Sequence, residues 1–184
     1  MGADHPVVLV GPMAVGKSAV GRMLAQRRGA RFVDTDRVIV KRHGSIAGIF
    51  ARDGEQAFRS LEAEVVRDAL AEDGVVVSLG GGAVLHPGTR ELLAEATVVF
   101  LDTDLATVLP RIRADSSRPL LAGRPAERWQ ELYDARRPVY AAVASAVVDT
   151  RGLTVREATE AVLHALAAHP NDHRHDESGN PHGH

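Results

Sequence analysis

The chain has 184 residues, 45% hydrophobic and 25% charged, which is the composition of a single soluble globular domain with a substantial core. Its formal net charge of −2 excludes the broadly basic surface that recruits nucleic acid, and its lack of cysteine excludes disulfides and thiolate metal sites. Because no stretch approaches the roughly 20 apolar residues of a membrane span, and residues 1–6 lack the basic-then-apolar order of a signal peptide, we expect a cytoplasmic protein without a membrane partner.

Strands are predicted at five apolar runs rich in β-branched residues: Val7–Val10, Phe32–Val33, Val75–Leu79, Val98–Leu101 and Ala146–Val148. Because the runs are continuous rather than alternating, each strand is expected to be buried on both faces. Helical patterns lie between the runs, and strands that alternate with helices favour a parallel sheet covered by helices on both sides. The predicted fold class is therefore α/β.

Helical periodicity is clearest in three segments. In the first, an apolar stripe from Val20 to Leu24 ends before Gly29, a residue typical of helix C-caps. The second places apolar residues at i, i+3, i+7 and i+11 from Phe58 onward. The last helix is predicted to open with Thr154 and Glu157, which have the spacing of a capping box.

Two polar segments show neither pattern. Residues 115–128 are arginine-rich and punctuated by proline and glycine, which predicts a mobile surface loop. Residues 170–184 are polar and histidine-rich, which predicts a disordered tail. The tail either binds a transition metal weakly or is a solvated appendage. The second interpretation is favoured, because disorder supplies no fixed geometry to the candidate ligands His173, His175, His182 and His184.

A phosphate-binding loop is predicted from Gly11 to Ser18, which lie between the first strand and the first helix and match G-x-x-x-x-G-K-S. In such a loop successive backbone N–H groups and the helix N-terminus point at a polyphosphate. Gly16 lets the backbone come close, Lys17 reaches the β- and γ-phosphates, and Ser18 offers its hydroxyl to Mg²⁺. Residues 12–15 contain no glycine, so Gly11 and Gly16 alone are expected to carry the tight geometry.

Two carboxylates, Asp34 and Asp36, follow the second predicted strand. Ligands of doubly wound proteins bind at this edge of the sheet. One carboxylate could serve the water shell of a metal and the other the hydroxyls of a substrate. Helix N-capping or simple solvation is the alternative for such a pair.

Six motifs in this order resemble those of the shikimate kinases, small enzymes of the nucleoside-monophosphate-kinase branch of P-loop proteins. The similarity extends over residues 7–166 and includes the phosphate loop, Asp34–Asp36, Asp53–Arg59, Gly80–Gly82, Arg118–Leu121 and Arg136–Tyr140. The resemblance implies a three-layer α/β/α fold with a five-stranded parallel sheet in one domain, residues 1–169. It also implies a lid loop at about 112–128 and a helical substrate-binding segment at about 34–62.

The resemblance further implies transfer of the ATP γ-phosphoryl group to the 3-hydroxyl of shikimate, with one Mg²⁺ per subunit. Ser18 and Asp34 would serve the metal, the latter through water. Asp36 would bind the ring hydroxyls and orient the accepting one. Arg59 and Arg136 would clamp the substrate carboxylate. The backbone of the glycine triplet Gly80, Gly81 and Gly82 would complete this pocket.

On the nucleotide side, Arg111 resembles a residue that stacks on adenine, and Arg118 resembles a lid residue that meets the phosphates on closure. Arg151 is a candidate for the adenine edge. The implied catalytic residues are Lys17, Asp36 and Arg118, and the implied ATP-binding residues are Ala14, Val15, Gly16, Lys17, Ser18, Ala19, Arg111, Arg118 and Arg151.

The chemistry of the reaction favours the same division of labour. Phosphoryl transfer needs alignment and charge neutralisation more than covalent catalysis, and these effects strengthen when a lid excludes water. An anionic, polyhydroxylated ring needs a guanidinium fork and a carboxylate. Structural alternatives stay open for three arginines: Arg59 could pair with Glu62 on an exposed helix face, Arg136 could lie in a solvated turn, and Arg111 could be a surface charge.

The chain departs from the family pattern in the phosphate loop, which lacks an inner glycine and carries Ala19 where a threonine is usual. No aspartate ends the Val75–Leu79 run, so the second metal ligand falls to Asp34. Two other functions are compatible with a phosphate loop: a gluconate-type or nucleotide kinase, and a nucleotide-binding module without turnover. We expect a monomer, because no heptad or large apolar stripe is left outside the core.

Overall fold

The computed structural model describes residues 4–115 and 121–169. A five-stranded parallel sheet has the strand order β2-β3-β1-β4-β5. The strands are β1 (Val7–Val10), β2 (Phe32–Asp34), β3 (Val76–Ser78), β4 (Thr97–Asp102) and β5 (Ala146–Asp149). Residues 116–120 of the predicted lid loop and all of the predicted tail lie outside these residues.

Helices cover both faces of the sheet. They are α1 (Lys17–Arg28), α2 (Thr35–His43), α3 (Ile46–Leu70), α4 (Pro87–Leu93), α5 (Leu105–Ala114), α6 (Pro125–Val143) and α7 (Val155–Ala168), with a 3-10 helix at Ala83–Leu85. Within the described ranges, none of these helices combines the length and the apolar character needed to cross a membrane.

The central strand β1 divides the core into two layers because its side chains alternate. Val8 faces α3, α4 and α6, where it joins a cluster that includes Val66 and Tyr140. Leu9 faces α1 and α7 and joins Leu24 and Val162. Burial on both sides explains why the strands have continuous apolar runs, and the predicted three-layer α/β/α arrangement is confirmed.

Local signals located several helix ends correctly. Gly29 is the C-cap of α1 with φ 62°, and Thr154 and Glu157 form the predicted capping box of α7. The predicted loop over 115–128 is wrong at its end, because α6 begins at Pro125. A proline there needs no N–H partner in the first helical turn, so it starts a helix instead of continuing a loop.

The carboxyl ends of the parallel strands meet at one edge of the sheet. Gly11 follows β1, Asp34 ends β2, Gly80–Gly82 follow β3, and Asp102 ends β4. The predicted site residues are thereby gathered from distant parts of the chain to the edge at which α/β proteins bind ligands.

Candidate active site

The phosphate loop connects β1 to α1, as predicted. Helix α1 begins at Lys17, and its N-cap, Gly16, has no side chain that could accept hydrogen bonds from the first-turn amides. These amides and the positive end of the helix dipole therefore suit an anion such as a phosphate.

Three residues of the loop have a left-handed backbone: Gly11 with φ 149°, Ala14 with φ 67° and Gly16 with φ 101°. A Cβ on Gly11 would lie 2.5 Å from the carbonyl oxygen of Leu101, whereas one on Gly16 would have no neighbour within 4 Å. Gly11 is thus required for close packing and Gly16 for its backbone angle. The prediction that two glycines carry this geometry alone is wrong, because Ala14 also takes a conformation that is strained for residues with a Cβ.

Asp34 lies between the phosphate loop and α2. Its carboxylate accepts a 2.5 Å hydrogen bond from the Ser18 hydroxyl, and it caps α2 by accepting from the backbone N–H of Arg37 at 3.2 Å. Asp34 is therefore a helix N-cap, as the structural alternative predicted, and it also contacts Ser18, the other predicted metal ligand. Two hard oxygen donors beside a phosphate loop fit Mg²⁺, which binds one or two protein oxygens together with nucleotide phosphates and water.

Asp36 lies in a pocket built around the glycine triplet. A Cβ on Gly80 would lie 2.7 Å from an Asp36 carboxylate oxygen and 2.8 Å from a Glu62 carboxylate oxygen. A Cβ on Gly82 would lie 2.6 Å from the guanidinium carbon of Arg59. Gly80 and Gly82 thus leave room for charged side chains from α2 and α3 that pack directly on the backbone.

Arg59 forms a salt bridge to Glu62 at 2.7 Å, the pairing that was the structural alternative. The pair lies inside the pocket rather than on an exposed face, since Glu62 is only 2% exposed. Helix α3 also starts well before Arg59, at Ile46, and is kinked at Gly54. Burial raises the pKa of the Glu62 carboxyl, and the adjacent Arg59 opposes that rise.

Arg136 enters the same pocket from the middle of α6 and is 5% exposed, which excludes a solvated turn. A Cβ on Gly81 would lie 3.6 Å from its Nη1 atom. Burial lowers the pKa of Arg136, and the positive charge of Arg59 lowers it further. Two guanidiniums that repel each other in a buried pocket are electrostatically complementary to a carboxylate placed between them.

The pocket and the phosphate loop are in contact. A Cβ on Gly81 would lie 3.5 Å from the Met13 side chain, and Met13 belongs to the phosphate loop. A group held by the arginines would therefore lie next to the terminal phosphate of a bound nucleotide, which is the geometry that phosphoryl transfer requires.

Comparison with known proteins decides the family. A family model described as "Shikimate kinase" matches residues 13–167. A shikimate kinase from Streptomyces coelicolor is 52% identical over 161 residues, which cover 87% of this chain and 94% of that protein. The chain belongs to the shikimate kinase family. It is therefore a kinase, and ATP is the co-substrate of its family.

A second relative and a solved structure agree. The shikimate kinase of Streptomyces avermitilis is 48% identical over 161 residues, covering 87% of this chain and 94% of that protein. The structure of shikimate kinase from Acinetobacter baumannii in complex with shikimate superposes with a TM-score of 0.87 at 33% identity, covering 91% of this chain and 96% of that one.

Two predicted nucleotide contacts of this kinase have other partners in the structure. The Arg111 guanidinium donates to the Ala14 carbonyl at 2.7 Å. Exposed Arg151 pairs with Asp149 at 2.6 Å. The adenine roles of Arg111 and Arg151 stay predictions. The predicted phosphate contact of Arg118 also stays a prediction, because Arg118 lies outside the described residues. Among the described residues, no group of three or more His, Asp or Glu side chains could hold a metal ion without a ligand's help.

Sequence reasoning missed three residues. Glu62 was weighed only as a surface partner, although its i+3 spacing from Arg59 signalled the pair. Tyr140 donates its hydroxyl to the Gly81 carbonyl at 2.5 Å, and burial raises its pKa to about 12. Trp129 donates its indole N–H to the carbonyl of Met13 at 2.8 Å. Neither of these two contacts has a signal in the sequence.

Proposed function

We propose that this kinase transfers the γ-phosphoryl group of ATP to the 3-hydroxyl of shikimate through the residues gathered around the glycine triplet. One observation carries the proposal: Asp36, Arg59 and Arg136, from three different helices, converge on Gly80–Gly82 next to the phosphate loop. This arrangement offers two guanidiniums to a carboxylate and one carboxylate to hydroxyl groups.

On the acid side, Arg59 and Arg136 bind the carboxylate of shikimate, and Asp36 accepts a hydrogen bond from its ring hydroxyl. Asp36 orients that hydroxyl for attack and can accept its proton. The salt bridge from Glu62 holds the Arg59 guanidinium against Gly82.

On the nucleotide side, residues 14–19 bind the ATP phosphates through backbone N–H groups and the Lys17 ammonium. In the structure that ammonium donates to the carbonyls of Gly11 and Pro12 at 2.8 and 2.9 Å, so it already lies against the phosphate loop. Ser18, and Asp34 through water, would hold one Mg²⁺ per subunit, which would neutralise phosphate charge. Lys17 orients the γ-phosphate toward the acceptor.

The lid, at about residues 112–128, carries Arg118 to the phosphates on closure and excludes water. We also propose one folded domain over residues 1–169, a monomeric state and a cytoplasmic location. The near-neutral charge balance and the absence of cysteine support the last of these.

A coupled assay of ADP release tests the proposal. With ATP and Mg²⁺, shikimate should raise ADP release far above the rate without an acceptor. Gluconate and nucleoside monophosphates in the same assay should not. Equal stimulation by gluconate would point to the gluconate-type kinase, and tight ATP binding without acceptor-dependent turnover would point to a nucleotide-binding module.

A further inference from the structure

Two side chains donate to carbonyls in the first half of the phosphate loop, on either side of Met13. Lys17 donates to the carbonyls of Gly11 and Pro12, and Arg111 donates to that of Ala14 at 2.7 Å. Both side chains have proposed roles on the nucleotide, at the phosphates and at adenine. When the nucleotide binds, either can exchange its carbonyl for the ligand.

Trp129 of α6 holds the carbonyl between them. Its indole N–H donates to Met13 at 2.8 Å, and the side chain is 1% exposed. It is enclosed by an apolar cluster with Val108, Ile112 and Leu121. Because the indole has a single N–H group and no access to the nucleotide, this bond has no competing partner.

The indole is itself fixed to the sheet. Its ring stacks on Tyr133, with centroids 5.0 Å apart and planes inclined by 9°. The Tyr133 hydroxyl donates at 2.7 Å to Asp102, the last residue of β4. Arg137 donates both to that carboxylate and to the Tyr133 hydroxyl, at 3.1 and 3.0 Å. The donor is therefore linked through Tyr133 to β4 of the central sheet.

Because the peptide group is planar, the hydrogen bond from Trp129 to Met13 also fixes the direction of the Ala14 N–H. A trans peptide group points its C=O and its N–H in opposite directions, and the carbonyl of Met13 shares a peptide plane with the N–H of Ala14. Holding that carbonyl against Trp129 turns the Ala14 N–H toward the opposite, phosphate side. It also supports the left-handed φ of 67° at Ala14, which a residue with a Cβ does not adopt readily.

We propose that Trp129 is a positioning residue of the phosphate loop, which orients the Ala14 amide for the nucleotide through the carbonyl of Met13. The inference rests on the proposed nucleotide role of the loop. Trp129 contacts no substrate in this scheme, so its removal changes the binding of ATP and leaves the binding of shikimate unaltered.

Trp129→Phe tests this, because it keeps an aromatic ring against Tyr133 and removes the N–H donor, although the ring is smaller than indole. We expect KM for ATP to rise about fivefold to tenfold, as for loss of one hydrogen bond to a buried carbonyl, with KM for shikimate within about twofold. Val108→Ala is the matched control: it weakens the same cluster but removes no hydrogen bond to the loop, so both KM values should stay near wild type. Equal changes in the two KM values of Trp129→Phe would overturn the inference.

A second measurement needs no variant. Trp129 is the only tryptophan, so the protein gives one indole N–H resonance. In the unmodified enzyme its hydrogen exchange should be at least about tenfold slower than in free tryptophan, before and after ADP is added. Fast exchange of the Trp129 indole N–H, with or without ADP, would contradict a persistent hydrogen bond to Met13. An enzyme without ATP-dependent turnover would instead refute the proposed function, and either assay separates the two failures.

Discussion

The phosphate loop and the acid pocket lie side by side but are built in opposite ways. The loop is eight consecutive residues, Gly11 to Ser18, which act largely through backbone groups. The pocket collects side chains from α2, α3 and α6 around Gly80–Gly82. A site made of backbone tolerates an unusual residue such as Ala14, whereas a site made of buried charges depends on each partner.

The largest effect is expected at Asp36, the acid-pocket residue closest to the proposed chemistry. Asp36→Asn keeps the shape and removes the proton acceptor, so kcat should fall about 100-fold or more. Asp34→Asn is the matched change on the loop side, and it should mainly raise the Mg²⁺ concentration needed for half-maximal rate. Steady-state rates at saturating substrates measure both. An Asp36→Asn variant with wild-type kcat would remove Asp36 from catalysis.

Substitution of Arg136 separates the two regions, because it should weaken the binding of shikimate in the acid pocket and not the binding of ATP. Arg136→Ala should raise KM for shikimate about 100-fold, as for loss of a charge-assisted hydrogen bond of about 3 kcal/mol. KM for ATP should change by about twofold at most. Arg137→Ala, its exposed neighbour, is the control and should change KM for shikimate far less. If both substrates were affected equally by Arg136→Ala, the clamp would be wrongly assigned.

Glu62 tests whether the buried salt bridge positions Arg59. Glu62→Gln should raise KM for shikimate about fivefold to tenfold, because a neutral amide holds a guanidinium less firmly. Glu55→Gln removes the exposed partner of Arg59, 3.6 Å away, and should have little effect. An equal response to the two changes would argue that the buried pair has no special role.

Glu62 also predicts a pH dependence of stability. Burial raises its pKa above the ordinary 4.5, so the folded state holds the proton more tightly than the unfolded state. That contribution is complete below pH 4.5 and is lost as the pH rises through the raised pKa. Relative to wild type, Glu62→Gln should therefore become more stable as the pH increases over this window. Urea unfolding of both proteins at several pH values measures the difference, and a constant difference would contradict it.

The smallest effect is expected in the phosphate loop at Ala14. Ala14→Gly removes left-handed strain and adds chain entropy to the unfolded state, for a net gain of about 0.5–1 kcal/mol in the free energy of unfolding. Ala19→Gly, in helix α1, is the control of opposite sign and should cost about 1 kcal/mol. Urea unfolding compares the two. A loss of stability in Ala14→Gly would show that the loop holds Ala14 without strain.

Most of the fold could be predicted because its signals are local. Buried parallel strands need continuous apolar runs, and the capping box at Thr154 closes within one helical turn. Prediction failed at Pro125, which fits either a loop or the first turn of a helix and in the structure starts α6.

The sequence by itself determined the phosphate loop, the α/β class and the identities of the charged residues, because contiguous motifs carry their geometry with them. Only the tertiary structure decided which groups meet inside the site. Glu62 is buried with Arg59, Tyr140 donates to the Gly81 carbonyl, and Trp129 donates to the Met13 carbonyl. These contacts join segments separated by as many as 116 positions. Their formation depends on how helices pack on the sheet, a property that no local pattern encodes.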